Sequence, residues 1–366
     1  MKVISYDKKY KKDFIELNLA WINALFKLER EDEIFLNNID NSIKNGANIF
    51  FTLDDNDDVL ACILTEPLRN DMWEISYFAA RNLGSGKGAG KLCLNEALKY
   101  AIKKGAKLFE IVTNTKCFKA IHIYESFGFK KIDDPIINPF KRGNYFMEAS
   151  TKDILSKLKK EEITELGNPK NPEGEAGLAM LDRMNESHDD LTLFGLSFLN
   201  KKEDGIYLDV GCGGGNALKK LLSMTNNLVY GIDISLTAIK KSMEFNQKEY
   251  DLNRLKLFKA NVLELPFDND YFDAVVTIES FYFWENHIEA LQRIKKVLKE
   301  GGKFILIADI YDNGHLDFDT ILNISKYNLY NPTKEKFEDL FSIAGFKNIK
   351  IHLKENTTWI VVEGEK

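Results

Sequence analysis

Leu208-Asp209-Val210-Gly211-Cys212-Gly213-Gly214-Gly215-Asn216 is the stretch that decides how the chain is read. The apolar run 206–210 predicts a buried strand, and 216–223 predicts a helix. Between them, glycines at 211, 213 and 215 let the backbone turn tightly and approach a ligand closely. The next predicted strand, 228–232, leads into Asp233, where an acidic side chain suits the two hydroxyls of a ribose. A dinucleotide-binding turn would read G-x-G-x-x-G. Asn216 stands where the third glycine belongs, so that reading fails.

Downstream the alternation continues. Helix 235–250, strands 255–259 and 272–278, helix 287–297, strand 303–308 and helix 335–344 follow, then a closing antiparallel pair, 347–353 and 358–363. Strands alternating with helices predict an α/β fold, a doubly wound, Rossmann-like sheet with helices on both faces. The glycine loop, together with ANVLELPFDNDYFDAVVTIESFYFWEN (260–286) and VLKEGGKFILIAD (297–309), resembles class I S-adenosylmethionine-dependent methyltransferases over roughly 175–366. The resemblance implies S-adenosyl-L-methionine as cofactor. Asp209, Gly211, Gly213 and Gly215 would hold its methionine end, with Cys212 inside the same loop. Asp233 would take the ribose hydroxyls, Ile234 would lie against the adenine, and Asn261 and Val262 would meet the adenine edge. Glu279 would face the methyl-transfer region.

Plainer readings stand beside these. Asn261 also fits a turn, Glu279 a solvated strand end, and Phe281-Tyr282-Phe283-Trp284 either core or pocket wall. Met184, His188 and Trp359 are candidates to close the pocket. No Asn/Asp-Pro-Pro-aromatic follows strand 272–278, which argues against methylation of bases or glutamine amides. No Pro-Cys nucleophile is present for cytosine carbon.

The first half carries a second glycine loop, Ser85-Gly86-Lys87-Gly88-Ala89-Gly90-Lys91, between predicted strand 73–79 and helix 89–104. Consecutive N–H groups at a helix N-terminus suit a pyrophosphate. No Gly-Lys-Ser/Thr ends the loop, so it is not a Walker loop. Around it the pattern predicts helix 8–28, strands 49–53, 59–65 and 108–112, helix 118–127, and strands 129–132 and 145–148. The loop, with Asn114, Ala120, Tyr124, Gly128 and Phe129 in Asn…Ala-x-x-x-Tyr-x-x-x-Gly-Phe, resembles the GNAT N-acetyltransferase superfamily over roughly 1–150. That implies a GNAT-like mixed sheet with helices, acetyl-CoA as cofactor and an amine as acceptor. Gly86, Lys87, Gly88, Ala89, Gly90 and Lys91 would cradle the phosphates, and Asn114 would contact the cofactor arm or a water. Tyr124 would protonate the departing thiolate, and Glu74 is the candidate base through water, or else an edge-strand carboxylate. Ser85 stands where that family has Gln or Arg, which leaves open a non-catalytic acetyl-CoA-sensing or substrate-docking module.

Length and charge fit two fused domains. At 366 residues the chain exceeds one ordinary core. The run 151–174, with Pro169 and Pro172, reads as a linker between domain 1–150 and domain 175–366. Residues 1–150 hold 22 basic and 21 acidic side chains (+1), and the rest holds 28 and 35 (−7), giving the overall −6. That balance argues against binding nucleic acid by phosphate neutralisation and points to small-molecule substrates. Four cysteines and no long apolar run suggest a cytoplasmic protein with no membrane span. The histidines and cysteines show no metal spacing. Asp55-x-Asp57 lacks the glycine a calcium loop needs.

Overall fold

The computed structural model describes residues 1–81, 88–133 and 140–366. Contacts divide the chain into two compact units, 1–166 and 167–366.

The first unit is built on a mixed sheet of β1 (Lys2–Ser5), β2 (Asn48–Leu53), β3 (Val59–Arg69), β4 (Met72–Ala80), β5 (Leu108–Thr113), β6 (Lys130–Ile132) and β7 (Tyr145–Ser150). Its order is β1-β2-β3-β4-β5-β7-β6. Within it β4 and β5 alone run parallel, and they pair only from Met72–Glu74 to Leu108–Glu110. Beyond Glu74 the two strands part. Helix Ala89–Lys103 buries Cys93, Leu94, Ala97, Leu98 and Ala101, an i, i+1, i+4, i+5, i+8 stripe that packs on β2 and β3. Helix Lys11–Leu25 buries Phe14, Asn18 and Ile22 and packs on β3 and β4. The expected single helix 8–28 is a 3-10 turn (Lys8–Tyr10) followed by Lys11–Leu25. β1 and the helices Arg30–Asn37 and Ile39–Lys44 were not expected. The first of those helices opens on Arg30-Glu31-Asp32-Glu33. Its Asp32, fully buried, is satisfied by Arg142, 110 residues away, a pairing that no local pattern announces.

The second unit holds β8 (Tyr207–Val210), β9 (Val229–Asp233), β10 (Leu255–Lys259), β11 (Phe272–Ile278), β12 (Leu298–Ala308), β13 (Lys347–Leu353) and β14 (Ile360–Glu365). The order is β10-β9-β8-β11-β12-β14-β13, parallel as far as β12, with β14 antiparallel to β12 and to β13. The chain winds outward from β8 to β10 and then returns to start again at β11. The direction therefore reverses between β8 and β11, and a crevice opens at their C-terminal ends. The expected helix 235–250 is two, Leu236–Phe245 and Gln247–Asp251. Buried Asn246 divides them, its Nδ2 donating to Gly215 O and Ser242 O, each at 3.0 Å. Helices Gly174–Ser187, Asp189–Leu196 and Phe318–Tyr327 were also not expected. The stretch 151–174 contains helices Thr151–Leu155 and Lys160–Gly167.

Among the described residues no helix is long and apolar enough to cross a membrane, and no group of His, Cys, Asp and Glu could hold a metal ion.

Helix Asp189–Leu196 approaches β12 closely through Gly195, where a Cβ would overlap the buried Ile307 side chain. Gly195→Ala is expected to lower stability by about 1–2 kcal/mol: overpacking outweighs alanine's better helix propensity. The urea midpoint of the variant reads this, and an unchanged midpoint would show that Ile307 repacks freely.

Candidate functional site

In the second unit the crevice is a cavity of about 190 Å³. Asp209, Gly211, Cys212 and Gly213 line it from the end of β8, Asp233 and Ile234 from β9, Asn261 and Val262 from beyond β10, and Glu279 from β11. Gly215 does not line it. With φ +88° it starts helix Asn216–Met224, and its missing Cβ spares Ser242 and Asn246. Cys212 is buried, and burial pushes its thiol well above the usual range.

Asp209 is 1% exposed, and neither carboxyl oxygen has a hydrogen-bond partner among the described residues. Burial, with the Asp233 charge second, pushes its pKa up to about 8. Asp233 is better served: Oδ2 accepts from Gly213 N at 3.0 Å and Oδ1 from Ser235 N at 2.8 Å. Burial still raises its pKa, against the pull of those N–H groups. Glu279 is not a solvated strand end. It sits at φ +57°, a conformation that non-glycine residues hold only when their surroundings enforce it. Its Oε1 accepts from Asp309 N at 2.5 Å and from the Tyr282 hydroxyl at 2.9 Å. Burial and the Asp309 charge push its pKa up to about 8. Asn261 acts as a turn residue, its Oδ1 accepting from Leu263 N at 3.0 Å, while also lining the cavity.

The aromatic run divides: Phe281 and Tyr282 are core, and Phe283 and Trp284 are wall. Met184 and His188 line the cavity, whereas Trp359 packs beside Phe194 under Lys354. Sequence reasoning missed Pro169, Lys170, Pro172 and Asn185. Asn185 Nδ2 donates to Gly214 O at 2.9 Å, and Ser235 Oγ donates to Pro172 O. These bonds lay the segment before β8 across the glycine loop, and nothing local in sequence signals them.

In the first unit a cavity of about 90 Å³ lies where β4 and β5 part, and Glu74, Asn114 and Tyr124 all line it. Gly86 and Lys87 lie outside the described residues. Gly88, at φ +78°, caps helix Ala89–Lys103, and Gly90 makes room for the Phe78 ring. Ala89 O accepts from Thr52 Oγ1 at 2.8 Å, and Lys91 Nζ lies 5.7 Å from the Phe127 ring. Gly88 to Lys91 thus present a helix N-terminus rather than cavity wall. Asn114 donates from Nδ2 to Arg142 O at 2.6 Å and accepts at Oδ1 from Lys116 N at 2.9 Å, leaving one N–H and one lone pair for a ligand. Tyr124 is 4% exposed and packs against Phe78 and Phe129, and burial holds its phenol well above the usual range. Glu74 makes no hydrogen bond or ion pair among the described residues. Burial first, then the Glu66 and Glu110 charges, push its pKa up to about 7. Arg142, not anticipated, also lines the cavity. It holds Asp32 through two bonds, of 2.6 and 2.7 Å, and lies over the Phe140 ring at 4.4 Å.

Residues 15–129 match the model of the acetyltransferase (GNAT) family, and residues 208–306 match that of the methyltransferase domain. A sterol 24-C-methyltransferase of Gibberella zeae is 32% identical over 114 residues, 30% of this chain and 30% of that protein. A 2-phytyl-1,4-naphtoquinone methyltransferase of Nostoc punctiforme is 31% identical over 108 residues, 29% of this chain and 47% of the relative. The chain spans less than half the length of either. Among solved structures, a GNAT-family acetyltransferase of Staphylococcus aureus is 20% identical with a TM-score of 0.38, covering 41% of this chain and 98% of that one.

Two outcomes are expected from the electrostatics. Asp209 has a folded pKa of about 8 against an ordinary value of 3.8, so its contribution to stability is intact below 3.8 and is lost as pH rises through about 8. Asp209→Asn should flatten that decline and raise the melting temperature of the ligand-free protein by a few degrees at pH 8.5. Thermal denaturation across pH 6–8.5 checks it, and an unchanged slope would refute it. Arg142→Ala leaves Asp32 buried without its cation and should cost about 3–5 kcal/mol, read by urea unfolding.

Proposed function

For a chain that carries a GNAT acetyltransferase domain and a methyltransferase domain, we propose two group transfers. The C-terminal domain moves a methyl group from S-adenosyl-L-methionine to a small molecule, and the N-terminal domain moves an acetyl group from acetyl-CoA to an amine. The protein is read as a cytoplasmic enzyme that acts on small molecules rather than nucleic acid.

The observation that carries the methyl-transfer reading is Asp209, a buried carboxyl at the edge of a cavity with no hydrogen-bond partner among the described residues. Such a group is costly unless a cation joins it. S-adenosyl-L-methionine is a cation with a diol, so the residues present fit it: Asp209 for positive charge, Asp233 for the ribose, and a cavity edge without side chains at Gly211 and Gly213. When bound it supplies a methyl group already activated on sulfur. What remains for the protein is alignment and exclusion of water. Phe283 and Trp284 wall the site, and Glu279, fixed by Tyr282 and the Asp309 N–H, stands where an acceptor's proton can be taken. The two relatives methylate a sterol and a naphthoquinone by name, so likeness to them leaves the acceptor open.

For acetyl transfer the support is the meeting of Glu74 and Tyr124 in one cavity. Glu74, with its pKa near 7, can draw a proton from an ammonium through water at neutral pH. Tyr124, kept protonated, can give one to a departing sulfur. A domain that only senses acetyl-CoA or docks a substrate would have no use for this pairing, which favours turnover.

Isothermal titration should show S-adenosyl-L-methionine binding that weakens at least about tenfold in Asp209→Ala. No heat with the wild-type chain would end the methyl-transfer reading. With acetyl-CoA and an amine panel, Tyr124→Phe should lower kcat about 100-fold while leaving KM for acetyl-CoA near its original value. Unchanged kcat would remove Tyr124 as the acid, and no turnover alongside measurable acetyl-CoA binding would favour the sensing module.

A further inference from the structure

Glu66, Glu74, Glu110 and Glu148 stand directly opposite one another on β3, β4, β5 and β7. Residues in direct register share a face, so the four carboxylates form one row, roughly 5 Å from strand to strand. Trp73, next to Glu74, packs on Tyr100 of helix Ala89–Lys103, so the row lies on the opposite face, which opens into the cavity at Glu74.

Like charges set side by side destabilise a sheet unless something neutralises them. The nearby cations do so poorly. Arg69 is 3.9 Å from Glu110, beyond hydrogen-bond reach, with its side chain 64% exposed. Lys130, opposite Glu148, is bonded to Asp153 at 3.0 Å, and Arg142 is taken by Asp32 and Glu29. Glu74, enclosed by the cavity, has no partner among the described residues. Beside it the Ser76 and Tyr77 hydroxyl oxygens, on residues that line the same cavity, are buried without a hydrogen bond among the described residues. These orphaned hydroxyls, which can each donate and accept, point to a polar ligand. Among the described residues no group of His, Cys, Asp and Glu could hold a metal ion. Trp21, Phe26 and Phe140 also wall the cavity, with Arg142 over the Trp21 and Phe140 rings and Lys116 over Phe26.

We propose that the acceptor of the N-terminal domain is a linear aliphatic polyamine, its reacting nitrogen at Glu74 and its further ammonium groups along Glu110 and Glu148. A three- or four-carbon bridge between nitrogens matches the strand spacing of about 5 Å, so each ammonium meets one carboxylate. Arg69, loosely held and exposed, is the group a bound ammonium displaces from Glu110. The proposal rests on the acetyl-transfer reading. In that reaction the neutral amine forms the new N–C bond as the C–S bond breaks. The amine's proton leaves toward Glu74 through water, and the sulfur takes one from Tyr124.

The test compares butylamine, putrescine and spermidine as acceptors by release of free thiol from acetyl-CoA, using the full chain. In the wild type, kcat/KM should rise about fivefold to tenfold with each added ammonium. In Glu110→Gln, Glu148→Gln and their double variant, the ratio of spermidine to butylamine should fall toward one, and raised salt should do the same to the wild type. Glutamine keeps the side-chain shape and removes repulsion, so misfolding would not mimic this change in ratio. Equal kcat/KM for butylamine and spermidine, an unchanged ratio in the double variant, or turnover only with a lysine-rich peptide would overturn the proposal. If no amine is acetylated, calorimetry with spermidine separates the two readings. Binding that weakens in Glu110→Gln and Glu148→Gln keeps the polyamine site and rejects acetyl transfer. No binding rejects the site.

Discussion

Adjacent parallel strands cannot be joined by a tight turn, and both candidate sites follow from that constraint. A parallel pair needs a crossover, so its C-terminal ends are free to diverge or to send their connections in opposite directions. In the first unit β4 and β5 hold together for three residues and then separate, and the cavity fills the gap. In the second, β8 and β11 are neighbours whose connections leave toward opposite edges of the sheet, and the cavity lies across their ends. In each case apolar packing behind the strands keeps the opening rigid: helix Ala89–Lys103 against β2 and β3, and helix His287–Val297 against β12.

Those openings are where unfavourable electrostatics collect. Asp209, Glu279 and Glu74 are carboxyls raised first by burial and then by a neighbouring carboxylate: Asp233 for the first, Asp309 for the second, Glu66 and Glu110 for the third. A fold selected for stability alone would pair or remove them. They stand beside cavities, while Asp32 and Asp273 elsewhere are neutralised by Arg142, Lys202 and Lys299.

Much of this was legible in the primary structure. The second half declares itself because a doubly wound sheet repeats one local unit, so strand and helix periods and glycine spacing are enough. The placement of Asp209, Gly211 and Asp233 follows from the same local rule, since each sits at the end of a strand whose place in the unit is set by sequence order. Less legible were elements whose stability comes from distant partners. Helix Arg30–Asn37 depends on Arg142, the segment around Pro172 on Ser235, and the break at Asn246 on the Gly215 carbonyl. Gly86 and Lys87, read as phosphate ligands, fall outside the described residues.

The sequence by itself determined that there are two α/β domains and which loops carry their glycines, because periodicity, turn residues and strand-end acids act over a few positions. Only the tertiary structure decided which carboxylates face one another. Glu66, Glu74, Glu110 and Glu148 are spread over 83 positions and align because of strand register, and register is set by cross-strand packing rather than by any one segment. The same is true of Asp209. That it precedes a glycine loop is written in the chain, but that no donor among the described residues reaches it is a property of the packed interior alone.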